Sequence, residues 1–465
     1  HRHYYREVMT PELEILIDFA EKHYKDRHIL GSQRALQFGG EQLLQHQARL
    51  YNCTVSHVDR PAFFNEAMYL LLCGAGVGFS VQQRHISQLP SVRWHGNEEM
   101  RVFSIPDSIE GWADAFAVLL SSYFTDNQVF PEFAGCKVVF DFSRIRPKGA
   151  PISGGFKAPG PEPLRRALEK VEALLEAADY GDIGEGRLRP IQVYDIVMHM
   201  ADAVIAGGVR RSATICLFDY TDVEMLNAKT GNWWQENPQR GRSNNSAIIE
   251  RDKVTEEEFM AIFASIEQFG EPGFVFTDNL DFLYNPCVEI GMYPKTEDGR
   301  SGFEFCNLCE INGSFCTTPK NLYEACKAAS ILGTLQAGYT NFRYLSKESK
   351  EIADREALLG VSITGWMNNP DVLFKDEVMK KGAELVKEMN KVVADLIGIR
   401  QAARTTCVKP SGNASVLLGT ASGIHGEHAP RYIRHVQMNK DTDIAKILEE
   451  TNPSLLEESV WSANK

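Results

Sequence analysis

Asn285-Pro286-Cys287-Val288-Glu289 sets an amide, a thiol and a carboxylate on alternate residues. In an extended loop that spacing turns all three to one side. A neighbouring carboxylate raises a thiol pKa and disfavours thiolate, so this is a poor pair for ordinary nucleophilic catalysis. It suits a thiol that gives up a hydrogen atom. The plain alternative is an edge strand with a buried cysteine and a surface glutamate. Close behind come Cys306, Cys309 and Cys316 in FCNLCEINGSFC. Cys306-Asn-Leu-Cys309 could be a redox dithiol or half of a zinc site. Zinc would want a matched second pair, and Cys287 and Cys316 lack that spacing. Cys309 and Cys316 also read simply as small buried residues.

Three turns could meet an anion. Gly74-Ala-Gly76-Val-Gly78 misses the dinucleotide fingerprint because its third glycine comes one residue early. Ala206 to Ser212, containing Gly207, Gly208, Val209, Arg210 and Arg211, joins a helical pattern to a β-like run. Its amides and guanidinium groups could meet a phosphate or a base, or it is a helix C-cap turn. Lys409-Pro410-Ser411-Gly412-Asn413-Ala414-Ser415 follows a β-like run. If a helix starts there, free amides and serine hydroxyls would hold a phosphate. His425 and His428 are spaced for metal binding but read equally as loop residues, and no metal is expected. GxxxxGK[ST] is absent, which argues against an ATPase engine.

Elements must position these groups. Helical periodicity runs over Thr10 to Lys25, Ala62 to Cys73, Glu162 to Asp179, Ile191 to Ala206, Thr255 to Phe269, Asn321 to Gln336 and Lys375 to Ile397. β-like runs lie at Val102 to Ile105, Cys136 to Asp141, Ser212 to Phe218, Ser246 to Ile249, Gly273 to Phe276, Val361 to Thr364 and Ala403 to Val408. Their alternation predicts an α/β fold of parallel βα units, with the chemistry on the loops. The 465 residues are 43% apolar and 24% charged, the composition of a globular protein with a large core. A net charge of −13 argues against broad binding to a nucleic-acid backbone. No run approaches the roughly 18 apolar residues of a membrane helix, and residues 1–10 lack a signal-peptide core. A cytoplasmic location is expected. The ten cysteines are scattered and read as thiols rather than a disulfide framework.

Together these segments resemble the catalytic subunit of ribonucleotide reductase from about Ser32 to about His435. The likeness is to the compact, monomeric-type adenosylcobalamin-dependent ribonucleoside-triphosphate reductases and to cone-less cyanophage-type relatives. It is carried by LYNCTVSHVD (Leu50 to Asp59), EAMYLLLCGAGVGFSV (Glu66 to Val81), GGVRRSA (Gly207 to Ala213) and NWWQENPQR (Asn232 to Arg240). NPCVEI (Asn285 to Ile290), FCNL (Phe305 to Leu308), LLGVSITG (Leu358 to Gly365) and KPSGNASVLLGTASGIH (Lys409 to His425) complete it in the family's order.

The resemblance implies a ten-stranded α/β barrel of the ribonucleotide reductase and glycyl-radical-enzyme type, with Cys287 on a central finger loop. A helical region, residues 1–50, would precede a barrel of residues 51–465. It makes Cys287 the thiyl site, Asn285 and Glu289 the ribose-binding pair, and Cys53 with Cys306 the reducing dithiol. Asn52 and Pro410, Ser411, Gly412, Asn413, Ala414 and Ser415 would bind substrate. Asp59 and the loop Gly207, Gly208, Val209, Arg210, Arg211 and Ser212 would answer to dNTP or ATP effectors. The implied radical source is adenosylcobalamin, or alternatively a ferritin-like dimetal β subunit. The implied reductant is an external dithiol such as thioredoxin or glutaredoxin. The stretch before Cys53 is too short for an ATP cone, so no dATP shut-off is expected, and relatives continue past the equivalent of Lys465. Two rival readings remain: a nucleotide-binding regulator without catalysis, and a thiol or zinc oxidoreductase built on Cys306 and Cys309.

Overall fold

The computed structural model describes residues 1–93, 99–152, 156–180, 185–205, 213–429, 431–433, 435–436, 438, 440 and 442–458. Residues His1–His425 form one compact unit and Gly426–Lys465 a second. The first unit is built on β1 (Ile29–Leu30), β2 (Cys53–His57), β3 (Gly76–Ser80), β4 (Thr214–Asp219), β5 (Ser243–Glu250), β6 (Gly273–Thr277), β7 (Glu304–Cys306), β8 (Leu308–Asn312) and β9 (Gly360–Thr364). Six of them form one sheet in the order β6-β5-β4-β3-β2-β7, parallel throughout except where β7 runs antiparallel to β2. The other three pair as β1-β8-β9, with β8 and β9 parallel. Only Asn307 separates β7 from β8. Its buried amide donates to Gly333 O at 2.7 Å and accepts from Gln336 Nε2 at 2.8 Å, which pins the point where the chain changes sheets.

Helices α1 (Pro11–Lys25), α2 (Ala62–Cys73), α3 (Ile109–Tyr123), α4 (Glu162–Glu176), α5 (Pro190–Ile205), α6 (Glu256–Phe269), α7 (Pro319–Ala337) and α8 (Asp376–Ile397) cover the sheets. Their starts follow local chemistry. Thr10 caps α1 with Pro11 in the first turn, and Thr255 and Glu258 form a reciprocal capping box on α6. In the core Phe63, Phe64, Phe79 and Phe303 are fully buried, each contributing about 1.5–3 kcal/mol of apolar transfer. In the second unit the longest described element is the helix Asp443–Thr451, capped by Thr442.

The α/β expectation holds, and each predicted helix is present. The N-terminal region is helical up to Leu50, interrupted by β1. β2, β3 and β8 were not predicted, because all three are short and fully buried with glycine or polar residues inside, and so carry no alternation. α3 escapes periodicity because it is apolar on nearly every face. The runs Val102 to Ile105 and Cys136 to Asp141 are strands as expected, Met100–Ser104 pairing in parallel with Lys137–Asp141 across α3, in a two-stranded sheet of their own. One expectation needs correction. Ala403 to Val408 is not a strand, and only Thr406 bridges to Val361. The whole segment from Ser80 to Thr214 is a crossover between two neighbouring parallel strands, β3 and β4. Among the described residues no helix is long and apolar enough to cross a membrane.

Candidate active site

Cys287 stands at the exposed tip of a loop held by a short hairpin, in which Leu283 pairs with Met292 and Tyr284 with Gly291. The loop is a turn rather than the extended segment the alternation suggested. Val288 N–H donates to Asn285 O at 2.8 Å, and Val288 takes a left-handed φ of 65°. Asn285 is the hub. Its Nδ2 donates to Glu289 Oε2 at 2.6 Å and lies 3.7 Å from Cys53 Sγ, while its Oδ1 accepts from Ile290 N–H at 3.0 Å. The loop lies against the sheet because β3 is bare there. A Cβ on Gly78 would fall 2.3 Å from Tyr284 O, and one on Gly76 would fall 3.1 Å from Pro286 Cγ and 3.4 Å from Cys53 Sγ. The Gly76-Val-Gly78 pattern therefore makes room for the loop, a role the glycine spacing alone did not reveal. Asn244, on β5, adds a hydrogen bond from Nδ2 to Pro286 O at 3.0 Å.

Cys53 and Cys306 are register partners across the antiparallel β2/β7 pair, and Cys53 N–H donates to Cys306 Sγ at 3.1 Å. Both are free thiols and both are buried. The hydrogen bond from the Cys306 thiol lowers the Cys53 pKa, against the effect of burial, so Cys53 is the sulfur that ionises first. Burial and the carboxylate of Glu289 push Cys287 up to about 11. It therefore stays a thiol at neutral pH, as a hydrogen-atom donor must.

One charged pair near the thiols was not singled out from the sequence. Lys409 Nζ donates to Glu310 Oε1 at 2.5 Å, with side-chain exposures of 11% and 3%. Burial opposes the Lys409 charge, but Glu310 outweighs it and the pKa is raised, whereas burial raises Glu310. Lys409 also acts electrostatically on Cys53, Cys287 and Cys306. The signal available was a lysine directly before the Pro410-Ser411-Gly412 turn. In that turn Ser411 Oγ accepts from Ser415 N–H at 2.9 Å and Ser415 Oγ donates to Gly412 O at 3.4 Å, ahead of the short helix Ala414–Leu418. Both hydroxyls thus take part in the turn, Ser411 Oγ as an acceptor that keeps its own proton to donate. Pro410, Gly412 and Asn413 are exposed and Ala414 is buried. Asn52, next to Cys53, accepts from Ser32 Oγ at 3.0 Å and from Gly76 N–H at 2.8 Å.

The remaining expectations fall elsewhere. Asp59 is hydrogen-bonded to Ser301 and paired with Arg60, away from the thiols. Gly207, Gly208, Val209, Arg210, Arg211 and Ser212 lie outside the described residues. Cys309 and Cys316 pack in a different apolar cluster from Cys306, so the Cys-Xaa-Xaa-Cys spacing does not form one site. Among the described residues the one gathering of three potential metal ligands is His57, His85 and Asp281. It contains neither cysteine nor His425 or His428.

The fold is that of ribonucleotide reductase. This chain and the crystal structure of a B12-dependent, class II ribonucleotide reductase superpose with a TM-score of 0.67 at 22% identity, over 86% of this chain and 65% of that one. Residues 83–175 match the model of the B12-dependent ribonucleotide reductase insertion domain, which accounts for much of the β3–β4 crossover. The chain is similar to the adenosylcobalamin-dependent ribonucleoside-triphosphate reductase of Lactobacillus leichmannii, 28% identical over 80% of this chain and 58% of the relative. It is similar also to those of Euglena gracilis, 25% over 84% and 52%, and, named as probable, Dictyostelium discoideum, 27% over 74% and 44%. It thus spans about half the length of these curated relatives. The expected ten-stranded barrel is supported by the superposition, while the described strands pair as sheets of six and three.

Proposed function

We propose that this chain is the catalytic part of a ribonucleotide reductase that makes 2′-deoxyribonucleotides by thiyl-radical chemistry. The observation that carries the proposal is the contact of Asn285 with both Glu289 and Cys53, since it joins the Cys287 loop to the thiol pair. A Cys287 sulfur radical takes the 3′ hydrogen of the ribose, and Glu289 accepts the 3′-OH proton as general base. The 2′-OH leaves as water, with Cys53 and Cys306 supplying two protons and two electrons and ending as a disulfide. Cys287 then returns its hydrogen to the 3′ carbon, and Glu289 returns its proton to the 3′ oxygen. An external dithiol, oxidised to its own disulfide, restores the pair. Asn285 orients the ribose hydroxyls by its amide.

The radical source we assign is adenosylcobalamin, in keeping with the names of the relatives. When bound it supplies one-electron chemistry by homolysis of its cobalt–carbon bond. Cys287 and Val288, exposed at the loop tip, are the residues of this chain that would meet it, and a thiol held protonated fits that donor role. The substrate we infer is a ribonucleoside triphosphate. For the effector we infer a deoxynucleoside triphosphate acting through the 206–212 loop on the choice of base. A cavity of about 210 Å³ lined by Arg49, Asp107, Ser108, Arg146, Ala203 and Val204 adjoins that loop in sequence and supports this reading.

The test is anaerobic reduction of CTP and CDP with a dithiol, with and without adenosylcobalamin. Deoxycytidine product that depends on the cofactor is expected. Absence of product with the cofactor, at any effector tested, overturns the assignment of radical source.

A further inference from the structure

The Cys287 loop has little of its own to hold it, since its hairpin pairs only two residues on each side. Its base is different. Asp281, two residues before the hairpin, presents Oδ2 to Lys295 Nζ at 3.0 Å, and Lys295 is three residues past the hairpin's other strand. This ion pair closes the base. Oδ1 of the same carboxylate takes Arg84 Nη2 at 2.6 Å and lies 3.5 Å from His85 Nε2, both just beyond β3. His57, the last residue of β2, is completely buried. Its Nε2–H donates to the Asp281 carbonyl at 3.1 Å, and its Nδ1 is 3.1 Å from Ser301 Oγ. The two imidazoles pack with centroids 4.2 Å apart, and His85 Nδ1 is 2.8 Å from Ser80 Oγ. Gln82 adds a bond from its side chain to Leu280 O at 3.2 Å.

His57, His85 and Asp281 have the composition of a metal site, with ligand atoms within 4.8 Å of one another. Arg84 and Lys295 argue against an ion there. Two cations already occupy the carboxylate, and a divalent metal would have to displace both. What the cluster does is join both ends of the loop to β2 and β3. β2 begins with Cys53, so a rigid strand runs from the clamp to the thiol pair.

We infer that Asp281 is a positioning residue. With His57, His85 and Lys295 it clamps the base of the loop and so fixes the distance from Cys287 to Cys53. Its activity arm rests on the reductase reading, whereas its labelling arm does not. A misplacement of about 1 Å in a reacting group can cost about 100-fold in rate.

The experiment compares the parent chain with Asp281→Asn and, separately, Lys295→Met. Alkylation of each cysteine by iodoacetamide is followed by mass spectrometry, beside Tm and, with adenosylcobalamin present, kcat and KM for CTP. Both variants should alkylate Cys53, which is buried beneath the loop, about tenfold faster through local opening, with the buried Cys309, Cys316 and Cys326 at parental rates. kcat should fall by about 100-fold with KM within about twofold. Parental labelling of Cys53 in Asp281→Asn overturns the proposal. Equal acceleration at every cysteine in both variants also overturns it, because the cluster then only stabilises the fold. If the parent has no reductase activity, the labelling pattern alone decides, and the reductase reading fails separately.

Discussion

Cys53 and Cys306 face each other across the only antiparallel junction of the six-stranded sheet, one thiol accepting the other residue's amide proton at 3.1 Å. Directly opposed residues in an antiparallel pair have Cα atoms about 4.5–5.5 Å apart, within the range a disulfide spans. The pair can pass between dithiol and disulfide without moving either strand.

Replacing either member should therefore separate binding from turnover. Cys53→Ser and Cys306→Ser should bind nucleotide as the parent does and fail in multiple turnovers with a dithiol. Steady-state rates equal to the parent's would contradict the pairing.

Cys287→Ser should abolish turnover with the fold intact, since a hydroxyl O–H bond is too strong for hydrogen exchange. The raised pKa adds a solution signature. Alkylation of Cys287 requires thiolate, so its rate should climb with pH through 9 and level only near 11. A plateau near pH 9 would remove the influence assigned to burial and Glu289.

Gly78 has a purely steric role. Gly78→Ala places a methyl 2.3 Å from Tyr284 O, and the loop or the strand must yield. A stability loss of about 1–3 kcal/mol is expected by denaturant titration, with faster labelling of the buried Cys53. An unchanged midpoint would show that the loop does not rest on β3.

Lys409→Met strands a buried carboxylate, which should cost about 3–5 kcal/mol at pH 8. The sign with pH follows from Glu310. Its folded pKa is raised, so below the ordinary carboxylate range both states are protonated and the penalty disappears. The deficit should shrink steadily from pH 8 towards pH 4 in urea titrations. A deficit that grew on acidification would refute the pairing.

The sequence made the chemistry more legible than the architecture. Asn285, Cys287 and Glu289 announce themselves by residue type and spacing, and the structure places Asn285 against Glu289 and Cys53. By residue type alone Cys306 could be a redox thiol or a zinc ligand; its pairing with Cys53 was implied by the family resemblance, and β7 sets the two opposite each other. That choice depends on the pairing of residues 253 apart in the chain, which no local pattern encodes. The Lys409–Glu310 pair and Asp281 were missed for a related reason. A single charged residue beside a turn looks solvated until its partner, Glu310 or Lys295, is brought to it by the fold. The strands β2 and β3 that carry the site were hidden by complete burial, because a strand covered on both faces loses the alternation that identifies it.

The crossover from Ser80 to Thr214 joins two strands that lie side by side. Closing a longer loop costs only about 0.6 kcal/mol for each doubling of its length, so the sheet is almost indifferent to how much chain that crossover carries. Modules there, beyond the clamp residues Gln82, Arg84 and His85, could be exchanged, enlarged or trimmed over evolutionary time while the thiols and their loop stay untouched. The burden falls instead on folding speed, because β3 and β4 can meet only after the intervening chain has collapsed. Change in the crossover is thus tolerated by this sheet at the expense of haste, and the thiol pair is spared.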